Sequence, residues 1–364
     1  MAVYPITPQT PIVETFAGYV ADGRVHTELV RVESEHSAMS AAVGAALAGA
    51  RSVTATASQG LAYMIEVLYI AAALRAPVVT ALGNRALAGP INIHADHSDA
   101  MLARDSGAVI LFAENAQEVY DLMIMAPRIA EHPAVMLPVL VGQDGFTITH
   151  SAEPVVMLPD EEVRAFVGPY RVPLPLLDTA WPVTVGAFSM PDSYFELRHQ
   201  LVQATERALV THERVAHAYA SLTGRRLDAV EPYRLEGAER VLVVMGSAAG
   251  TAKDVVDRLR ARGEAVGLVK IRLFRPFPAS LLARRLKAGQ RVAVLERAVA
   301  PGAMTPLYSD LAACLGGRVQ LRSFVAGLGG RDITPEDIEQ ALAGAGRDGP
   351  SVTYLGLGRG TVVF

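Results

Sequence analysis

A chain of 364 residues that is 51% hydrophobic and 19% charged has the material for two or three buried cores and the composition of a folded protein. Its 33 Lys and Arg against 37 Asp and Glu leave a net charge of −4 with no long basic run, which argues against a nucleic-acid surface. The apolar runs are short and broken by Gly, Pro or charge, and Met1–Pro5 lacks the basic start of a secretory signal, so the expectation is a cytoplasmic chain with no membrane span.

The first stretch, Tyr4-Pro-Ile-Thr-Pro-Gln-Thr-Pro11, carries three prolines and reads as a stiff loop that presents Thr7 and Thr10. Arg31–Ala38 leads into a helix over Met39–Ala50 made largely of Ala and Gly. Glu35 then sits near a helix N-terminus, where the dipole favours a carboxylate. Capping is the ordinary role of such an acid. The helix is too apolar for a surface helix, so Glu35 is expected to be half-buried and to need a partner.

Ser52–Ala57 predicts a strand, Ser58-Gln59 a polar turn and Gly60–Ala73 a helix. Ligands of parallel sheets bind beyond the carboxyl ends of the strands. Ser58 and Gln59 lie at such an end, where turn chemistry accounts for them equally well. Pro77–Leu82 is the next strand, and Arg85 just beyond it is placed to grip a carboxylate bidentately. His94, Asp96, His97 and Asp99 are metal-ligand types at a spacing that matches no metal motif, so a polar loop over a site explains them as well. Ala134–Val141 is a further strand. The alternation predicts a mainly parallel sheet covered on both faces.

Residues 152–188 are rich in proline and read as an extended surface connector. Residues 192–222 predict an amphipathic helix with Phe195, Leu201, Val202, Leu209 and Val215 on one face and Gly224 as its stop. A second α/β unit starts near Arg240. It has strands at 241–245, 265–272 and 291–295, a helix over 251–263, and a C-terminal helix opened by Thr334-Pro-Glu-Asp337. Gly246-Ser-Ala-Ala-Gly250 resembles a phosphate-cradling loop but lacks the spacing of a dinucleotide or P-loop motif. The lone Cys314 reads as a small core residue, and one cysteine cannot hold an iron–sulfur cluster. The expected division is 1–165, a connector and long helix over 166–235, a second domain over 236–345, and a tail over 346–364.

Taken in order, these stretches resemble the alpha subunit of pyruvate:ferredoxin oxidoreductases, in the 2-oxoacid:ferredoxin oxidoreductase family. The matching segments are Tyr4–Glu14, Val32–Met39, Thr56–Gly60, Asn84–Ile93, Asp96–Asp99, Asp144–Phe146, Met245–Lys253, Arg272–Pro278 and Ala326–Thr334. The resemblance implies a thiamine-diphosphate-binding domain of the pyrimidine-binding type followed by a transketolase-C-terminal-like α/β domain. It implies oxidative decarboxylation of pyruvate or a related 2-oxoacid to an acyl-coenzyme A. Electrons would pass to iron–sulfur clusters and then ferredoxin. Glu35 looks like the acid that activates the cofactor's aminopyrimidine, Thr7 and Arg85 look like the groups that bind the substrate carboxylate, and Ser58 and Gln59 would border the cofactor.

The family's diphosphate anchor, a Gly-Asp-Gly segment followed by an asparagine, is matched poorly by Arg347-Asp-Gly-Pro350. The resemblance therefore implies no metal ligands on this chain. A beta subunit would bring the diphosphate and Mg2+ site, and gamma and ferredoxin-like delta subunits or domains would bring the clusters and much of the coenzyme A site. Two departures stand out: Tyr4 lies almost at the start, where the family has a further strand and helix, and His94 stands where many pyruvate enzymes have a tryptophan. The alternatives are an enzyme for a larger, branched or aryl 2-oxoacid, a ferredoxin-independent thiamine enzyme, and a non-catalytic scaffold subunit.

Overall fold

The computed structural model describes residues 1–346 and 352–358. The first half runs β1 (Ala2–Val3), α1 (Thr10–Ala21), β2 (Val30–Arg31), α2 (Glu35–Leu47), β3 (Ser52–Thr56), α3 (Ser58–Ala73), β4 (Val78–Asn84), α4 (Ser98–Ala103), β5 (Val109–Phe112), α5 (Ala116–Ala130) and β6 (Val139–Asp144). Strands β5, β6, β4 and β3 pair in that order, all parallel, and β1 pairs with β2 in a small separate sheet. Every residue of β4 is buried, as a central parallel strand covered on both faces requires.

A connector carrying α6 (Asp160–Val167) leads to α7 (Tyr194–Thr223). The second half follows as β7 (Val230–Tyr233), β8 (Arg240–Val244), α8 (Ala248–Ala261), β9 (Val266–Ile271), β10 (Leu273–Arg275), α9 (Ala279–Arg285), β11 (Arg291–Glu296), α10 (Pro306–Leu315), β12 (Gln320–Val325), α11 (Pro335–Gly344) and β13 (Val352–Tyr354). Its sheet has the order β13-β12-β11-β8-β9-β7, parallel except for β7. Both halves are therefore α/β with parallel sheets, as the sequence predicts.

One segment belongs to both sheets. β9 lies in the second, and β10, one residue later, pairs antiparallel with β5 at the edge of the first. Arg272 is the residue between them and is fully buried. The core is correspondingly continuous, because Leu61, Met64 and Ile110 of the first half share one apolar cluster with Val243, Val269 and Phe274 of the second. Among the described residues no helix is long and apolar enough to cross a membrane.

Several local expectations change. The helix expected over Met39–Ala50 runs from Glu35 to Leu47, and the helix expected from Gly60 starts at Ser58, so Ser58 and Gln59 lie in its first turn and not in a separate polar turn. The strand expected over 134–141 starts only at Val139, because Pro138 precedes it and Met136 takes φ 46°. The connector contains α6, whose first turn holds Asp160, Glu161 and Glu162. On α7 the buried face is Leu201, Ala204, Ala208, Thr211, His212, Val215, Ala216 and Tyr219, while Phe195 and Val202 point out, Phe195 at 76% exposure. The helix after Met245 begins at Ala248, inside the glycine loop, rather than at Thr251. The stop at Gly224 (φ 74°) and the capping box of Thr334 with Asp337 are found as expected. Cys314 is half-buried. Arg347-Asp-Gly-Pro350 lies outside the described residues.

Candidate active site

The carboxyl ends of β3 and β4 are neighbours; β3 passes through Ala57 directly into α3, and β4 leads into Arg85. α2 packs against α3 and carries Glu35 as its first residue, so the Glu35 carboxylate arrives at the start of α3. Ser34 caps α2 by accepting the Ser37 N–H at 3.2 Å, which leaves Glu35 free of capping duty. Glu35 is 8% exposed, and its carboxylate accepts no hydrogen bond among the described residues. The partner that its burial calls for is thus not supplied by the described residues. A methyl group built on Gly60 would lie 2.8 Å from Glu35 Oε1 and would also strike the Thr56 hydroxyl, so glycine is what lets the carboxylate lie there. Thr56 Oγ1 is itself buried without a partner among the described residues.

Ser58 is fully buried with φ 47°, an uncommon conformation for a residue with a side chain. Its hydroxyl bonds the Ala86 carbonyl and lies 2.5 Å from the Gln59 side-chain oxygen. That hydroxyl is committed to the fold, whereas the half-buried Gln59 keeps its amide nitrogen free of partners among the described residues. Arg85, buried, is the first residue past β4. Its Nη1 donates to the Thr7 carbonyl at 2.8 Å and its Nε to the Asn92 carbonyl at 3.1 Å. The structure so brings Thr7 and Arg85 together. Two of the five guanidinium N–H donors are thus spent on carbonyls, and Nη2 has no partner among the described residues. The Thr7 side chain is exposed and its hydroxyl has no partner among the described residues.

The four residues of metal-ligand type separate. His94 packs against the Phe146 ring, with centroids 4.5 Å apart, and Asp96 accepts the Ser98 N–H at 2.7 Å. His97 Nε2 lies 2.7 Å from Asp144 Oδ1. Asp99, fully buried, accepts four hydrogen bonds, and burial, opposed by those bonds, pushes its carboxyl up to about 6.

The glycine loop after β8 also receives a different reading. Asp144, at the end of β6, accepts the Ser247 N–H at 3.0 Å and the Ser247 hydroxyl at 2.5 Å. The anion at the start of α8 is therefore this chain's own carboxylate, and the loop is not a phosphate cradle. Burial would raise the Asp144 carboxyl, but His97 and Arg297 beside it hold it well below the usual range. Asp99 was visible in the sequence only as a member of a polar run, and Asp144 only as part of a motif. No local pattern announces that either carboxylate collects donors from distant segments.

The residues present fit the pyrimidine end of thiamine diphosphate: an unpartnered buried carboxylate, an orphaned hydroxyl and a glycine with no room for a side chain lie side by side. Among the described residues the one acidic group able to share an ion is Glu114, Glu118 and Glu231, and Lys253, Lys270 and Arg272 already neutralise it.

Residues 1–217 match the family described as pyruvate flavodoxin/ferredoxin oxidoreductase, thiamine diphosphate-binding, and residues 238–338 match pyruvate:ferredoxin oxidoreductase core domain II. The chain is 53% identical over 348 residues to pyruvate synthase subunit PorA of Thermotoga maritima, covering 95% of this chain and 89% of that one. It is 44% identical over 355 residues to the PorA subunit of Methanothermobacter thermautotrophicus, covering 98% and 92%. Among solved structures it resembles the 2-oxoglutarate:ferredoxin oxidoreductase from Magnetococcus marinus with a TM-score of 0.67 at 19% identity, a likeness of fold that covers 94% of this chain and 61% of that one. The chain belongs to the pyruvate flavodoxin/ferredoxin oxidoreductase family.

Proposed function

We propose that this chain is the alpha subunit of a pyruvate:ferredoxin oxidoreductase and that it carries the pyrimidine half of a thiamine diphosphate site shared with a beta subunit. The observation that carries the reading is Glu35, a buried carboxylate without a hydrogen-bond partner among the described residues, facing Gly60 at the carboxyl edge of the sheet. When bound, thiamine diphosphate supplies the electron sink for decarboxylation. Glu35 would hold a proton at the pyrimidine ring nitrogen, a contact its carboxylate is free to make because it has no hydrogen-bond partner among the described residues. Gln59 borders the cofactor with its free amide, while Ser58 holds the Ala86 turn in place. Arg85 and Thr7 receive the carboxylate of the 2-oxoacid, with the Arg85 guanidinium oriented by the Thr7 and Asn92 carbonyls.

The diphosphate and Mg2+ belong to the beta subunit in this reading. Iron–sulfur clusters belong to gamma and ferredoxin-like delta subunits or domains, coenzyme A is the co-substrate and ferredoxin the acceptor, in the cytoplasm. An assembly is supported by the connector, which exposes Leu174, Leu177, Trp181 and Phe188 while pinned to α2 by Leu176 N–H to Leu47 O at 3.0 Å. Pyruvate is favoured over a larger 2-oxoacid because the relatives at 53% and 44% identity are pyruvate synthase subunits.

Glu35→Gln is expected to leave the assembled complex intact and to abolish pyruvate decarboxylation, a loss on the scale of about 100-fold or more for a proton-transfer group. Subunit composition by size-exclusion chromatography and carbon dioxide release measure the two halves of that statement. Normal turnover by the variant would remove the reading.

A further inference from the structure

Asp99 lies in the first turn of α4 and reaches Ser58 and Arg85 through their backbone N–H groups. Its Oδ2 accepts the Ser58 N–H at 3.1 Å and the Arg85 N–H at 3.0 Å, and its Oδ1 accepts Asn84 Nδ2 at 2.9 Å and the Ala100 N–H at 2.7 Å. All four partners are donors, so both oxygens have to be acceptors, which a carboxylate provides and an amide does not. Ser58 stands at φ 47°, and its N–H bond to Asp99 together with its hydroxyl bond to Ala86 O holds it there. One buried oxygen atom therefore ties the start of α3 to the residue after β4.

We propose that Asp99 is a positioning residue that sets Ser58 and Arg85 relative to one another, so that a single buried carboxylate places both the cofactor border and the 2-oxoacid grip. The proposal rests on the roles given above to Ser58, Gln59 and Arg85. A carboxylate that merely pinned α4 to the sheet would affect stability without coupling the two ligands. A positioning carboxylate weakens both together when it is altered.

The test uses the assembled complex. Thiamine diphosphate affinity is read by calorimetry on the cofactor-stripped complex, and KM and kcat for pyruvate are read separately. Asp99→Asn is expected to weaken cofactor binding and to raise the pyruvate KM, each about tenfold or more, as the loss of a hydrogen bond to a buried charged group does. The double variant Asn84→Asp/Asp99→Asn returns a carboxylate to the pair and lets the new amide oxygen face Ser58 and Arg85, leaving only the Ala100 N–H without its acceptor, so it is expected to recover part of both losses. Arg85→Lys is expected to raise the pyruvate KM and leave cofactor affinity unchanged. A lowered melting temperature with both affinities intact in Asp99→Asn overturns the proposal, as does a change in only one of them, or failure of both Asp99 variants to fold. An unchanged pyruvate KM in Arg85→Lys overturns the role of Arg85 instead, while the cofactor affinity still reads the effect of Asp99 on Ser58.

Discussion

At the scale of the residue, the site depends on an absence. Gly60 has an ordinary negative φ, so its need for glycine is one of space: a Cβ would sit 2.8 Å from Glu35 Oε1 and 2.9 Å from its Cγ. Gly60→Ala is expected to cost about 1–3 kcal/mol through overpacking. It should lower kcat about 100-fold by displacing the Glu35 carboxylate. Thermal melting and single-turnover decarboxylation measure the two effects, and a variant that melts lower yet turns over normally would show that the Glu35 position is not critical. The sequence marked both residues through the motifs around them. It did not show that they touch, because contact between α2 and the start of α3 is a matter of helix packing and not of spacing along the chain.

At the scale of the element, helix ends were the most legible features because capping is local. Thr334 accepts the Asp337 N–H at 3.3 Å while Asp337 accepts the Thr334 N–H at 3.0 Å. Thr334→Ala is expected to destabilise the protein by about 1 kcal/mol, read as a lower melting temperature with pyruvate KM unchanged. The face of α7 was less legible. Phe195 and Val202 carry the apolar signal of a buried stripe, but the face that packs on α5 is built largely from Ala, Thr and His, which hydrophobic periodicity underweights. The start of α8 shows the same limit from another side: a glycine loop after a strand signals an anion, and only the fold reveals that the anion is Asp144 from the other half of the chain.

At the scale of the whole molecule, the halves are joined by charge as well as by apolar packing. Lys270 lies 2.5 Å from Glu114 and 2.6 Å from Glu118, and Arg272 lies 2.6 Å from both Glu118 and Glu231. Burial would raise the Glu118 carboxyl, but Arg272 and Lys270 outweigh it and bring it down from its ordinary 4.5 to about 2. A folded-state value below the unfolded one adds stability above pH 4.5 that is lost as pH falls towards 2. Glu118→Gln is expected to cost about 3–5 kcal/mol at neutral pH, since it strands part of the charge of Lys270 and Arg272. Denaturation followed from pH 7 downwards should show the variant and the parent converging in acid, and a constant difference across that range would count against the cluster. By itself the sequence determined the α/β class, the family and the segments that carry the site, because strand and helix periodicity and ordered motifs are properties of neighbours along the chain. Only the tertiary structure decided that Asp99 binds two strand ends, that Asp144 fills the α8 N-terminus and that Arg272 joins the two sheets. Each of these depends on buried carboxylates or guanidinium groups meeting donors or acceptors far away in sequence, and burial is what makes such pairings obligatory.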